Sequence, residues 1–290
     1  MIKTGSNAIL YAEALERKVG KDISKTIFYS YWFYHWALII SILKKNNPTA
    51  KCVSRAHMGD IYDEIKVTPF KKFKLDNLTE VYPISNHALN RLLSYDDQYK
   101  VKLRKEFLGV ASKGTNPTDS SKKYFTIVSC SSVRSAKRVD LIAKVVASCK
   151  SNIKWIHFGD GPEMKTVQDV VVNLPSNIEV ELKGFVPNTE VLDFYLTEPI
   201  ALFINISTEE GLPVSLMEAI SYGIPVLGTN VYGTPEIVNE KTGILVEVDD
   251  PTSQIAAKID SFLEKNDLNR EQIIHFWKTN FCAEENYNAF

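Results

Sequence analysis

Two glutamates, Glu210 and Glu218, bracket Gly211-Leu212-Pro213-Val214-Ser215-Leu216-Met217, a stretch that passes from an apolar run into a helical pattern. Carboxylates at a strand end can accept hydrogen bonds from sugar hydroxyls, and burying them is costly unless they are so paired. The same pair would also suit an acid and a base working on one bond. Gly211 to Val214 lets backbone approach a ligand closely, and the helix N-terminus after Pro213 offers free N–H groups and a dipole to a phosphate. Lys137, just ahead of a helix start, supplies a charge that can neutralise phosphate. His57 ends a strand and opens a loop, where an imidazole can donate to a sugar hydroxyl or a leaving-group oxygen; a capping or core role is the competing reading. Asp60 and Arg55 are the candidates to orient it. Tyr29, Tyr31, Trp32, Tyr34, His35 and Trp36 can stack on a sugar acceptor or pack a core.

The elements that must position these groups alternate. The periodicity predicts a helix over 4–18, a strand over 26–34, a helix over 36–45, a strand over 51–57 and a loop over 58–60. A helix over 69–74, a strand over 80–84 and a helix capped by Ser85 follow. Residues 111–123, polar and rich in turn formers, read as a linker. Beyond it come strands over 124–130, 153–158, 178–182, 200–206, 225–229 and 244–248. Helices lie between them over 139–149, 163–172, 189–196 and from Pro213 to Gly223, and two more, over 252–264 and 270–279, finish the chain. Alternation of this kind implies an α/β fold with doubly wound parallel sheets, whose ligands sit at the carboxyl edge of the strands.

Composition sets outer bounds. The 290 residues are 44% hydrophobic and 24% charged, with a formal net charge of −1, which allows two domains of ordinary size. No apolar run approaches the ~20 residues that span a bilayer. Cys52, Cys130, Cys149 and Cys282 are scattered, which fits reduced thiols and gives no zinc or disulfide pattern. The charge is unevenly spread: residues 1–120 carry 19 Lys+Arg against 12 Asp+Glu, and the remainder 15 against 23. Lys71-Lys72-Phe73-Lys74 and Lys100-Val101-Lys102-Leu103-Arg104-Lys105 hold much of the excess. They read either as a basic face for an anionic membrane or pyrophosphate-linked substrate, or as solvated helix surface. No nucleic-acid reading motif accompanies them.

Taken together, Glu210-Gly211-Leu212-Pro213-Val214-Ser215-Leu216-Met217-Glu218-Ala219 resembles the E-x7-E motif of family 4 of the glycosyltransferases, retaining enzymes of the GT-B fold. The resemblance implies that Glu210 contacts the donor sugar, with Gly211, Leu212, Pro213 and Val214 lining the donor site, and that Glu218 holds the ribose. Lys137-Arg138-Val139-Asp140-Leu141 resembles the segment whose lysine meets the donor pyrophosphate. Where the family usually carries Gly-Arg ahead of that lysine, this chain has Ser131-Ser132, and Arg134 is the candidate substitute. Gly159-Asp160-Gly161-Pro162 resembles the family's G-x-G-P turn. Lys183-Gly184-Phe185-Val186-Pro187 resembles the segment on which the base rests, which points to Phe185 and Val186. Gly233-Thr234-Pro235-Glu236 resembles the turn behind the donor site, with Tyr232 in place of the commoner glycine. His57 stands where the family often has a histidine near donor and acceptor, and is taken as catalytic with Lys137 and Glu210.

The implied architecture is a partial, acceptor-side N-terminal domain over 1–110, the linker over 111–123, a nucleotide-sugar-binding domain over 124–270, and helices over 271–290 that cross back to the first domain. The N-terminal domain is expected to be incomplete, because family members begin well before the part matched here. The implied activity is hexosyl transfer from a nucleotide-sugar to a glycan or lipid-linked acceptor, with retention, in bacterial surface-polysaccharide biosynthesis. The nucleotide-sugar is a substrate, no cofactor or metal is expected, and the expected setting is cytoplasmic, with peripheral contact at an anionic inner membrane face. A second reading stays open: a non-catalytic nucleotide-sugar-binding remnant, or a subunit that needs a separate front half.

Overall fold

The computed structural model describes residues 2–65, 67–118, 123–265 and 268–289. The chain divides into two compact units, Met1–Phe107 and Leu108–Phe290. The first unit opens with helix α1 (Ile2–Val19), which packs on α2 (His35–Asn46). Ala8 and Ala12 are its buried contact residues, while Ile9, Leu10 and Tyr11 stay exposed. Strands β1 (Ile27–Ser30), β2 (Lys51–Ala56) and β3 (Glu80–Pro83) form a parallel sheet in the order β1-β2-β3. The apolar face of α2, with Leu38, Ile39, Ile40 and Leu43 buried, packs on β1 and β2. Ser85 caps α5 (Asn86–Leu93) by accepting from Ala88 N, as its side chain and position predict.

Three local readings change here. The first strand stops at Ser30 instead of continuing to Tyr34, because residues 31–34 turn and their backbone is held by side chains. Ser30 Oγ donates to Trp32 O at 2.6 Å, Phe33 N donates to Asp60 Oδ2 at 3.0 Å, and Lys74 Nζ donates to Phe33 O at 2.7 Å. The expected loop at 58–60 is a short helix, α3 (Met58–Ile61), whose Asp60 carboxylate reaches back to His57 N at 3.1 Å. Lys71 and Lys74, on α4 (Lys71–Asn77), are not a solvated basic face but are buried. Lys71 pairs with Asp63 at 2.7 Å and donates to Ile61 O. Burial pushes the Lys74 ammonium down to about 7, against the pull of Asp60. Charge counting cannot see that two lysines of a basic run turn inward to satisfy backbone carbonyls.

The second unit carries β4 (Phe125–Cys130), α6 (Val139–Ala147), β5 (Ile153–Phe158), α7 (Met164–Val171), β6 (Ile178–Leu182) and α8 (Asn188–Thr197). Then come β7 (Leu202–Asn205), α9 (Val214–Ser221), β8 (Val226–Thr229), β9 (Gly243–Val246), α10 (Thr252–Lys265), α11 (Arg270–Phe281) and α12 (Ala283–Ala289). The six strands among its described residues are all parallel, in the order β6-β5-β4-β7-β8-β9. This is the doubly wound order, and its direction reverses between β4 and β7. The carboxyl edge at such a reversal is where open α/β sheets bind their ligands. Trp155, Ile127, Leu202, Ile204 and Leu227 lie in the core, with Ile142 and Val146 of α6 and Ile255 and Ile259 of α10.

The division between units falls ahead of the segment read as a linker, which lies within the second unit. Val110 bridges to Cys282, and Asn116 is buried. The Asn116 amide donates to Glu198 O at 2.7 Å and to Tyr195 O, and its Oδ1 accepts from Ile200 N and Arg270. A polar, turn-rich composition signals irregular backbone; it does not signal a free tether. Residues 119–122 of that segment lie outside the described residues.

Candidate functional site

The reversal of strand order decides which loops meet. The loop after β4 carries Ser131 to Arg138, and the loop after β7 carries Ile206 to Pro213. Thr208 N donates to Ala136 O at 2.9 Å, tying the two loops together. Arg138, at a positive φ of 48°, ends the first loop and starts α6, and its guanidinium donates to Ile206 O and Val248 O at 2.7 and 2.8 Å. So anchored, Lys137 directs Nζ onto Glu210 Oε1 at 2.5 Å. The two side chains are 21% and 12% exposed, so each charge is partly removed from water and each compensates the other.

Glu210 has a second partner that the sequence reading missed. Asn205, the last residue of β7, donates Nδ2 to Glu210 Oε1 at 2.9 Å, while its Oδ1 accepts from Ser207 N and Ser207 Oγ at 3.1 and 2.6 Å. A lone amide ending an apolar strand was the available signal. After Glu210 the chain enters α9 through Pro213, which is extended and precedes the first helical residue, Val214. No side chain among the described residues caps this helix, so its N-terminus presents backbone N–H groups. Gly211 is not among the glycines at positive φ, so no left-handed turn is made there.

Glu218 lies one turn into α9, half-buried, and accepts from Asn188 Nδ2 at 3.0 Å. Desolvation raises its pKa, partly opposed by the Asn188 hydrogen bond. The helix closes as predicted at Gly223: Gly223 N reaches Ile220 O and Ile224 N reaches Ala219 O.

The turn after β5 presses against the loop after β4. Gly159 has φ of 142°, and a Cβ there would come 1.8 Å from Ser131 O; at Gly161 a Cβ would come 2.4 Å from Val133 O. Val133 N donates to Asp160 O and Ser131 N to Phe158 O. These glycines therefore set the path of residues 131–133 and through them the approach of Lys137. Arg134 is exposed and donates Nε to Ser132 Oγ at 2.9 Å. Phe185 is 83% exposed, just after Gly184 and ahead of Val186 and α8. Tyr232 has φ of 43°, the left-handed region in which a glycine would be unstrained.

His57 belongs to the first unit and is not a loop residue open to solvent. It precedes α3, is 6% exposed, and packs at a tilt of about 40° against Trp32 and Tyr31, with ring centroids at 4.2 and 4.8 Å. Its Nδ1 lies 3.5 Å from Asp60 Oδ2, whereas Arg55 donates to the carbonyls of Glu106 and Phe107. Above it the aromatic turn borders a groove of about 690 Å³, with Tyr29, Trp32, Trp36 and Gly59 in its walls.

The family model described as "Glycosyl transferases group 1" matches residues 114–275, and the chain belongs to that family. The matched stretch contains Lys137, Gly159, Gly161, Phe185, Glu210 and Glu218. Over 164 residues the chain is 28% identical to the UDP-N-acetylglucosamine–peptide N-acetylglucosaminyltransferase GtfA subunit of Streptococcus pneumoniae, covering 52% of this chain and 32% of that protein. Over 147 residues it is 31% identical to the N-acetyl-alpha-D-glucosaminyl L-malate synthase of Bacillus anthracis, covering 50% and 37%. The chain thus spans about a third of the length of these curated relatives.

Among solved structures, the lipopolysaccharide outer core galactosyltransferase WaaB superposes with a TM-score of 0.78 at 15% identity, over 96% of this chain and 78% of that one. Anabaena HepE in complex with UDP gives 0.74 at 17%, over 95% and 80%. The fold is therefore that of the GT-B glycosyltransferases.

Proposed function

We propose that this chain transfers a hexosyl group from a UDP-sugar to a hydroxyl of a glycan or lipid-linked acceptor, with retention at the anomeric carbon. The observation that carries the reading is the Lys137–Glu210 pair, set at the switch point of the sheet beside the uncapped N-terminus of α9. In this reading Lys137, Arg134 and that helix end face the diphosphate and stabilise it as negative charge develops on the leaving group, with no metal ion required. Glu210 takes donor-sugar hydroxyls, Glu218 takes the ribose, and the exposed Phe185 with Val186 supports the base. The choice of UDP draws on the UDP named for HepE and the UDP-sugar named for the pneumococcal relative. On the acceptor side, His57 and the rings of Tyr31 and Trp32 are assigned to the incoming sugar.

The setting that fits this reading is surface-polysaccharide assembly on the cytoplasmic side of a membrane. Lys72 and Lys100, which remain exposed, would provide peripheral contact with anionic lipid. No helix among the described residues is long and apolar enough to cross a membrane.

The test is release of UDP from a panel of UDP-sugars, with and without glycan acceptors. Lys137→Ala and Glu210→Ala are expected to lower turnover at least ~10²-fold, the usual scale for losing a group that stabilises transition-state charge. Unchanged transfer in both variants would overturn the assignment. A second reading, a donor-binding subunit without turnover of its own, is favoured by one observation. The first unit's described sheet has three strands, with Ile27 and Tyr29 of its edge strand β1 exposed. UDP-sugar binding without release or transfer under any acceptor would select it.

A further inference from the structure

We infer that Asn205 is a positioning residue for Glu210: it fixes which carboxylate oxygen faces the donor sugar and keeps the carboxylate from rotating. The inference rests on the reading of Glu210 as the donor-sugar ligand and adds a residue outside the E-x7-E segment that makes the reading work.

The orientation of the Asn205 amide is forced. Ser207 N is an obligate donor and lies 3.1 Å from one side of the amide, so that side must be the carbonyl oxygen Oδ1. Ser207 Oγ adds a second donor to the same oxygen at 2.6 Å. The NH₂ group must then point the other way, and 2.9 Å along it lies Glu210 Oε1. Ser207 is held in turn, because Thr229 Oγ1 on β8 donates to Ser207 O. Asn205, Ser207 and Thr229 are all buried, at 8%, 0% and 1% exposure. A largely buried hydrogen-bonded chain thus runs from β8 through the β7 loop to the carboxylate, with little freedom to reorient.

The consequence falls on Glu210. Among the described residues both hydrogen bonds it accepts, from Asn205 and from Lys137, reach Oε1. Oε2 is left to the ligand. If Lys137 turns toward a diphosphate, its contribution to Oε1 weakens and Asn205 alone keeps the carboxylate from rotating. An amide suits this task, because it donates without titrating and without adding charge next to the sugar.

The experiment measures binding of UDP and of UDP-glucose, UDP-galactose and UDP-N-acetylglucosamine to the full chain by calorimetry, between pH 5 and 8. In Asn205→Ala the UDP Kd is expected to hold, while the Kd of the preferred UDP-sugar rises ~10–100-fold, the scale of a hydrogen bond to a charged group. Asn205→Asp, nearly isosteric, guards against misfolding and gives a readout that packing alone would not move. Its carboxylate beside Glu210 repels it at neutral pH, and a proton shared between the two restores the lost donor. UDP-sugar affinity in Asn205→Asp should therefore recover as pH falls, whereas Asn205→Ala should show no such recovery. Wild-type UDP-sugar binding matched by both variants at every pH would overturn the role of Asn205 and leave the donor-site reading standing. A folded wild type that bound no nucleotide-sugar would remove the donor-site reading, and this inference with it.

Discussion

Lys137 Nζ stands 2.5 Å from Glu210 Oε1, although 73 positions separate the two residues in the chain. They meet because one leaves β4 and the other leaves β7, neighbours in the sheet at the point where strand order reverses. Both are partly buried, so removing one partner leaves the other charge uncompensated. Lys137→Met and Glu210→Gln, each alone, are expected to lower the free energy of unfolding by ~1–3 kcal/mol. The double variant should recover part of that loss, because neither charge then remains stranded. Denaturant melts of the four proteins of this cycle measure the coupling; additive losses would show that the pair does not interact in the folded state.

His157, on β5, is completely buried in the same unit. Trp155 Nε1 donates to Ser129 Oγ at 2.9 Å, and the hydroxyl lies 2.8 Å from His157 Nδ1. Burial pushes the imidazole down from 6.5 to about 4, partly opposed by the Ser131 backbone. Between those two values the unfolded chain takes up a proton that the folded chain refuses. The stabilisation is therefore complete above about pH 6.5 and is lost as pH falls toward 4, by about 3 kcal/mol. Urea melts at pH 7.5 and 4.5 should show this slope in the wild type, and His157→Gln should flatten it.

Glu218 titrates in the opposite sense. Its burial raises the folded pKa above the ordinary 4.5, so folding is penalised as pH rises through that range and the buried carboxylate ionises. Glu218→Gln removes the penalty, and the melting temperature at pH 7.5 is expected to rise by ~1–3 °C, a small gain on the scale of a domain this size. The same change takes away a charged acceptor for ribose hydroxyls, so UDP affinity should fall ~10-fold. UDP affinity of the wild type should also weaken as acid neutralises Glu218, and that pH dependence should vanish in Glu218→Gln. A variant that gained stability and kept UDP affinity would show that Glu218 does not meet the nucleotide.

Gly159 links the base of the site to its rim. With φ at 142° and Ser131 O only 1.8 Å from an added Cβ, Gly159→Ala must displace the loop that leads to Lys137. A loss of ~3 kcal/mol or more is expected, beyond the usual range for a single substitution. Circular dichroism melts and UDP-sugar turnover should fall together. Gly20, also at positive φ but with nothing near its Cβ position, is the control that separates backbone strain from collision.

The α/β alternation was legible because it follows from residue order, whereas the resemblance puts Lys137 and the E-x7-E segment at one donor site without pairing them. Strand and helix periods repeat along the chain, and a doubly wound sheet brings alternate loop ends to one edge. What escaped depends on which way single side chains turn. Asn205 reads as the polar end of an apolar strand until Ser207 fixes its amide. Lys71 and Lys74 read as surface charge until Ile61 and Phe33 carbonyls are seen to need them. The helix at Met58–Ile61 rests on Asp60 reaching back to His57 N, a contact that no hydrophobic pattern encodes.

Trp32 gives the test of the acceptor side. Its ring is 53% exposed, yet the turn that carries it is held at three backbone groups by Ser30, Asp60 and Lys74, and His57 lies beneath it at 4.2 Å. A fixed aromatic face of this kind can meet the C–H face of a pyranose ring without losing much freedom of its own. Because the ring is half in solvent, Trp32→Ala should shift the melting temperature little. The KM for a glycan acceptor should rise ~3–10-fold, the range of an aromatic contact. The KM for the UDP-sugar, and UDP release in the absence of acceptor, should not change, because the donor residues lie on other elements. Lys74→Met is the complementary variant. It keeps the indole but frees the Phe33 carbonyl that fixes the turn, so acceptor KM should rise toward that of Trp32→Ala while the unpaired buried carbonyl adds a stability loss. An unchanged acceptor KM in Trp32→Ala would take the aromatic turn out of acceptor binding and leave its burial of His57 as packing alone.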